Sequence, residues 1–296
     1  TKLPGEPATL TGAFKIAEGH LREVNDLDLD SEFLSIRGDA SFDESGAFLG
    51  AFFDEVAWPG NDISKITIER NDEDVLRISA DAKIIDLTPL RHEESPGEGV
   101  SLEVDLTANR IVLDDRVSLS GNVALTTAED GTGQAKFLGS LFLNGKPYMT
   151  ESTLTAMFGS GDDLMEGRGL IGGAEASLSL SPSENGGQLL VLRSNNAGQV
   201  LKTLDIIDAI RSGKLYMVAE FHPDEDGHST VNFELEDFRV IEAPTAVRMM
   251  SVLSLAGLYS LIESDGTHFN LGHAHIETFA DRQLFTRLVP RGMRWR

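Results

Sequence analysis

Hydrophobic and polar residues alternate along most of this chain. In the stretch VSLEVDLTA, Val100, Leu102, Val104 and Leu106 fall on one side, while Ser101, Glu103, Asp105 and Thr107 fall on the other. That is the period of a half-buried strand. The same alternation recurs at Leu76, Ile78, Ala80, Ala82 and Ile84, and at Val117, Leu119, Gly121, Val123 and Leu125. It returns at Leu141 and Leu143, and at Ala174, Ala176, Leu178 and Leu180. Turn-forming residues separate the runs at Asp43-Glu44-Ser45-Gly46, Asn71-Asp72-Glu73-Asp74, Glu129-Asp130-Gly131 and Asn144-Gly145. Strands at short spacing joined by Asp-Gly and Asn-Gly turns predict hairpins and an antiparallel meander. Such a sheet is expected to be wet on one face and apolar on the other.

Two segments break the rhythm, and both read as helices. From Ala197 to Arg211, the positions Val200, Leu201, Leu204 and Ile207 follow helical spacing, Asn195 and Asn196 offer N-cap oxygens, and Gly213 supplies a stop. The second begins near Pro244 and is uncharged from Met249 to Ile262, interrupted only by Ser251, Ser254, Gly257 and Ser260. It is too short to span a bilayer, which takes about 20 apolar residues, and reads as a core or interfacial helix. Between the two, KLYMVAEF and TVNFELEDFRV form a hairpin with an acidic tip from His222 to His228. Its apolar phase changes from Phe233 and Leu235 to Phe238 and Val240, which predicts a bulge near Glu236.

Composition narrows the function more than the fold. The chain has 296 residues, 41% of them hydrophobic, with 29 Gly and 7% aromatics, which favours many turns and slim β packing. Its net charge of −23 argues against nucleic acid and against docking on anionic lipid headgroups through a basic surface. The charge is uneven: Arg282, Arg287, Arg291, Arg294 and Arg296 stand together without an acid, leaving 20 basic against 48 acidic residues elsewhere. With no Cys, disulfides, thiolate metal sites and a cysteine nucleophile are excluded. Thr1 opens a polar stretch with neither initiator Met nor leader, so the chain is expected to be a piece of something longer.

Chemical motifs are weak. Gly167-Arg168-Gly169-Leu170-Ile171-Gly172 spells GxGxxG, but the following AEASLSLSP alternates as a strand, so a glycine-rich turn is expected and no dinucleotide site. His222, Asp224, Glu225, Asp226 and His228 could ligate a divalent ion, yet Asp-Gly at a hairpin tip explains them more simply. His273 and His275 share one strand face without a third ligand, and His20, His92 and His268 have no assigned place. No GxSxG elbow or Ser-His-Asp arrangement is present. No enzyme, no metal and no cofactor are expected.

The C-terminal third carries a more specific pattern. Ser194 to Phe221 reads SNNAGQVLKTLDIIDAIRSGKLYMVAEF, a short helix closing on Arg-x-Gly-x-Leu. Glu234 to Phe279 adds Asp-Phe-Arg-Val, then Ala-Pro two residues on, a Leu-Ser-Leu-Ala-Gly-Leu helix and a Gly-x-x-Phe restart. This region closely resembles the C-terminal part of AsmA-like proteins of Gram-negative bacteria. ISADAKIIDLTPL, Ile78 to Leu90, with the meander around it, resembles the domain preceding that part. The resemblance implies the TamB and YhdP group: an inner-membrane anchor, absent from this chain, followed by a long periplasmic β-sheet folded into an apolar trough along which phospholipid acyl chains move. It implies no catalytic residues. DRQLFTRLVPRGMRWR departs from it, because it lacks the alternating final strands with which such proteins continue.

The combined expectation is a mainly β protein, an elongated antiparallel sheet curled into a β-taco-like trough with two short helices in the C-terminal third. Residues 1–185 form the meander and residues 186–296 the AsmA-like region. Its function would be to bind phospholipid acyl chains in the groove and support lipid transport between inner and outer membrane, with outer-membrane proteins as further partners. The expected lipid contacts are Val100, Leu102, Val104, Leu106, Leu178, Leu180, Met249, Met250, Leu253, Leu255, Leu258 and Leu261. One rival is a structural or assembly scaffold of the envelope whose interior is filled by side chains. Another, a polysaccharide-active β-solenoid, would want aromatic platforms and clustered acids in an exposed groove and is disfavoured by only 2 Trp and 3 Tyr.

Overall fold

The short loops show why the chain turns where it does. Asn144 and Gly145 make a two-residue turn with φ of 51° and 74°, the left-handed pair that a hairpin with the native strand twist requires. In residues 43–47 the Asp43 carboxylate closes the loop, its Oδ1 accepting from the Ser45 amide at 2.8 Å, the Ser45 hydroxyl at 2.7 Å and the Ala47 amide at 2.9 Å. The computed structural model describes residues 8–71, 75–88, 101–159, 161, 163–222, 228–241, 267–279 and 282–293. Within them lie 18 strands and one helix, so the protein is mainly β. It divides into two units, Thr1–Pro147 with Thr155–Gly161, and Tyr148–Leu154 with Asp162–Arg296.

The first unit is built of consecutive strands β1 (Ala8–Ala17), β2 (His20–Ser31), β3 (Ser35–Phe42), β4 (Phe48–Trp58), β5 (Asn61–Arg70), β6 (Leu76–Asp86), β7 (Leu102–Val112), β8 (Val117–Thr127) and β9 (Gly133–Leu143). Strand β10 (Lys146–Phe158) contributes residues to both units. Each strand from β1 to β9 pairs antiparallel with the next, with one exception. Strands β6 and β7 run parallel, with Leu76 beside Leu102, Ile78 beside Val104 and Ala80 beside Leu106. This corrects the uniform antiparallel meander. The residues between Asp86 and Leu102 are far too many for a hairpin turn, and a connection of a dozen or more is what a parallel pair requires.

Several irregularities interrupt the strands of the first unit. Registers shift between Thr11 and Ala13, between Val24 and Leu27, between Arg37 and Gly38, between Ser64 and Thr67, and between Ala108 and Ile111. Asp26 and Lys65 adopt φ of 53° and 51° there, and the Asp26 amide is held by Asp39 Oδ1 at 2.8 Å. Each extra residue moves the next side chain to the other face, so inward positions jump by three. Hence Ala82 and Ile85, with Ala108 and Ile111, form one buried cluster, against which Ile63, Leu106, Leu119 and Val123 pack.

The second unit contains β11 (Leu164–Ile171), β12 (Ala174–Pro182), β13 (Gln188–Ser194), helix α1 (Ala197–Thr203), β14 (Ile210–Arg211), β15 (Lys214–Phe221), β16 (Ser229–Val240), β17 (Thr267–Phe279) and β18 (Arg282–Met293). Its pairings are antiparallel throughout, in the order β11, β12, β13, β15, β16, β17, β18, with β14 also on β16. The glycine motif forms the end of β11 and its turn into β12, as the alternating text after it requires. Strand β18 corrects the reading of the tail as lacking a final strand. Its register with β17 shifts by one residue between His275 and Ile276, and that extra residue breaks the alternation by which a strand is recognised in sequence.

The first expected helix is half the expected length. Asn196 caps it, its side chain accepting from the Gln199 amide at 3.2 Å, but it ends at Thr203, and Asp205 turns the chain at φ 55°. Ile210 and Arg211 then pair with Val240 and Arg239. The end of β16 lies beyond the reach of β15 and would otherwise keep unpaired backbone groups, so sheet pairing overrides the helical spacing of Leu204 and Ile207. The second expected helix, from Pro244 to Ile262, lies outside the described residues.

The phase change foreseen near Glu236 is present, with Asp237 at φ 49°, and Leu235 and Phe238 are both buried. The register nevertheless continues unshifted through it on both sides. Opposite Asp237 stand Gly213, at φ 85°, and Asn270. Each neighbouring strand carries its own extra residue at that rung, so inward positions pass from Ile210 to Leu215, from Leu235 to Phe238 and from Phe269 to Gly272.

Candidate functional site

The inward face of β7 is a row of branched aliphatic side chains. Leu102, Val104 and Leu106 are each half-buried, while Asp105 and Thr107 on the other face are exposed. Cross-strand partners extend the row in both directions. Val104 lies between Ile78 and Leu125, Leu106 lies between Ala80 and Val123, and Leu125 and Val123 face Ala135 and Phe137 of β9. All of these are half-buried except Phe137, which is buried. Among the described residues, the main contacts of every first-unit strand are with its hydrogen-bonded neighbours. The aliphatic side chains of this row therefore keep part of their surface in contact with solvent.

The opposite face is laced with ion pairs. Lys65 meets Asp81 at 2.8 Å, Arg77 meets Glu103 at 2.6 Å, and Arg37 meets Glu55 at 3.0 Å. These exposed pairs contribute little to stability individually. They do set the two-faced character of the sheet. Strand β1 continues the apolar face with Leu10, Phe14 and Ile16, which are 60%, 54% and 68% exposed and lie opposite Leu29, Val24 and Leu21.

Leu178 and Leu180 sit on β12 in the second unit, also half-buried. They neighbour Leu192 and Leu190 of β13. Burial along these strands declines with distance from α1. Ile171, Ala174, Ala176 and Leu192 near the helix are buried, whereas Met165, Leu180 and Leu190 at the far end are half-buried. The helix itself is fully enclosed at Ala197, Val200 and Leu201, each 0% exposed. Its close seating depends on Gly198, where a Cβ would stand 2.6 Å from the Ile210 carbonyl oxygen.

The expected contacts therefore fall into two groups in different units, Leu102, Val104 and Leu106 in one and Leu178 and Leu180 in the other. Val100, Met249, Met250, Leu253, Leu255, Leu258 and Leu261 lie outside the described residues. Sequence reading named Leu76, Ile78, Val123 and Leu125 as alternating positions without assigning them to the surface, and it passed over Ala135 and Phe137. The signal for those two is the same alternation in the run from Gln134 to Leu138.

The histidines have ordinary partners. His275 Nδ1 lies 2.8 Å from Asn232 Oδ1 and its Nε2 lies 3.4 Å from Glu277 Oε1, while His273 is 4.0 Å from Glu234. His222 and His228 stack with ring centroids 4.7 Å apart at the base of the acidic tip. No metal-holding group occurs among the described residues. Among these residues, no helix is long and apolar enough to cross a membrane. No family model matches the chain, and comparison with curated proteins and with solved structures finds no match.

Proposed function

We propose that this chain is a segment of an AsmA-like envelope protein whose apolar sheet face binds phospholipid acyl chains. The carrying observation is the half-open aliphatic row on β6, β7 and β8, at Ile78, Leu102, Val104, Leu106, Val123 and Leu125. Acyl chains suit such a row because they ask for burial, at ~0.8 kcal/mol per CH₂, and for no hydrogen bonds. Equivalent contacts repeated every ~4.8 Å from strand to strand also let a chain slide without a deep minimum. The bulges distributed along β1 to β7 bend their strands, which supports a sheet curled into a trough. In this reading the segment lies in the periplasm, tethered through an inner-membrane anchor elsewhere in a longer protein, and passes lipid toward the outer membrane without making or breaking a bond.

A second reading has its own observation. The enclosed α1, with Val200 and Leu201 at 0% exposure, closes part of the second unit as a packed interior would, which favours an envelope scaffold with no lipid cargo. Mass spectrometry of an organic extract, from protein purified without detergent out of a Gram-negative host, separates the two. The conduit predicts near-stoichiometric phospholipid, reduced several-fold by Val104→Asp in a variant that still folds. A folded, lipid-free wild type would replace the conduit with the scaffold.

A further inference from the structure

Three Asn-Gly or Asp-Gly pairs lie among the described residues, each exposed in the turn between two consecutive strands: Asp130-Gly131, Asn144-Gly145 and Asn185-Gly186. They share a chemical liability. A glycine has no side chain to shield its own amide nitrogen or to restrict its backbone, so that nitrogen can reach the Cγ of the residue before it. The three turns differ in how firmly they hold the two groups that would react.

At Asn185-Gly186 both groups are engaged. The Gly186 amide donates to the Ser183 carbonyl at 3.0 Å, and the Asn185 side-chain nitrogen donates to Glu220 Oε1 at 3.1 Å. At Asp130-Gly131 the Gly131 amide donates to the Ala128 carbonyl at 3.0 Å, while Asp130 Oδ1 accepts from the Thr132 amide at 2.9 Å and the Thr132 hydroxyl at 2.7 Å. Asn144-Gly145 has neither restraint. Asn144 donates its own amide to the Arg116 carbonyl at 2.7 Å, but among the described residues no hydrogen bond engages the Gly145 amide or the Asn144 side chain. A Cβ at Gly145 would meet no atom within 4 Å, so the peptide between the two residues has room to rotate out of the left-handed turn.

We infer that Asn144-Gly145 is a modification site, at which the asparagine closes to a succinimide and opens to isoaspartate. The Gly145 nitrogen, its proton taken by hydroxide, attacks Asn144 Cγ; the N–Cγ bond forms, the Cγ–Nδ2 bond breaks, and ammonia leaves. Water then opens the ring at either of its carbonyls, giving aspartate or isoaspartate without any oxidant or reductant. Both products place a carboxylate where a neutral amide stood. Isoaspartate also carries the main chain through the former side chain, adding a methylene to a turn whose left-handed pair, at φ of 51° and 74°, matches the twist of the hairpin. The site is independent of the lipid reading.

The test is peptide mapping by mass spectrometry of the full chain aged at mildly alkaline pH, once folded and once in urea, with isoaspartate told from aspartate by electron-transfer fragmentation. In urea Asn144 and Asn185 should convert at equal rates, because glycine follows both. In the folded chain Asn144 should convert roughly thirtyfold faster than Asn185, whose two hydrogen bonds have to open before attack. That contrast, with isoaspartate among the products at position 144, supports the site. Equal rates at the two pairs in the folded chain, faster conversion at Asn185, or an Asn144 that stays intact while both pairs react in urea would overturn it.

Discussion

Two stretches, one in each unit, share one sequence pattern and reach different degrees of burial. In the first, Leu102, Val104 and Leu106 alternate with polar residues and remain half-buried. In the second, Leu215, Met217 and Ala219 alternate in the same way and are 3%, 6% and 3% exposed. Alternation decides which face a side chain takes; what packs against that face decides how dry it becomes. Helix α1 lies against β11, β14 and β16; the strands of the first unit have no helix among the described residues, and there full burial is reached where inward side chains meet across strands, as at Ile111, 2% exposed.

The widest separation should come from truncating matched leucines. Leu201→Ala removes a side chain at 0% exposure and is expected to cost about 3 kcal/mol, within the usual range for fully enclosed leucines. Leu106→Ala, half-buried, should cost about 1 kcal/mol. Urea denaturation followed by probes in each unit reads both, and equal costs would abolish the contrast. Gly198→Ala places a methyl group against the Ile210 carbonyl and should cost about 2 kcal/mol by pushing α1 off β14. A neutral result there would mean that the helix seat is looser than its geometry. Asn196→Ala removes the cap accepting from Gln199 and should cost about 1 kcal/mol, visible as faster hydrogen exchange in α1 alone.

Acid should sharpen the same comparison with the smallest effect. Asp43 is held below the usual carboxylate range by the Ser45 hydroxyl and the Ala47 amide, Asp86 by Thr88, and Asp130 by Thr132. Glu23 is lowered by Lys15, and in the second unit Glu220 is lowered by Ser183 and Asn185. A lowered folded-state value contributes stability that is complete above the unfolded value, near ~3.9 for Asp and ~4.3 for Glu, and is lost as pH falls through the folded value. Four of these five groups belong to the first unit. Below about pH 4 its melting temperature should therefore fall before that of the second; simultaneous loss would assign acid stability to other groups.

Much of the fold was legible because period-two alternation and Asp-Gly or Asn-Gly turns are local signals. Asn144 and Gly145 turn as their residue types demand, and Asn196 caps α1 as its position predicts. What escaped was set by non-local partners. The parallel β6 and β7 depend on a long connection whose direction no residue type declares. The truncation of α1 depends on an unfilled edge of β16, and β18 was hidden by one extra residue beside His275 and Ile276. For the apolar surface, orientation was readable at Leu102, Val104 and Leu106, but their accessibility was not, since exposure depends on what packs above.

The fault through Gly213, Asp237 and Asn270 constrains how this sheet can change over generations. It resembles a dislocation line in a crystal: the extra residue belongs to the row, and removing it from one strand alone leaves the neighbours out of step. Deleting Asp237 would force either Phe233 and Leu235 or Phe238 onto the solvent face. Insertions and deletions should therefore be purged in the middle of these strands and accumulate at their turns, so that the position of the line outlasts the identity of the residues on it.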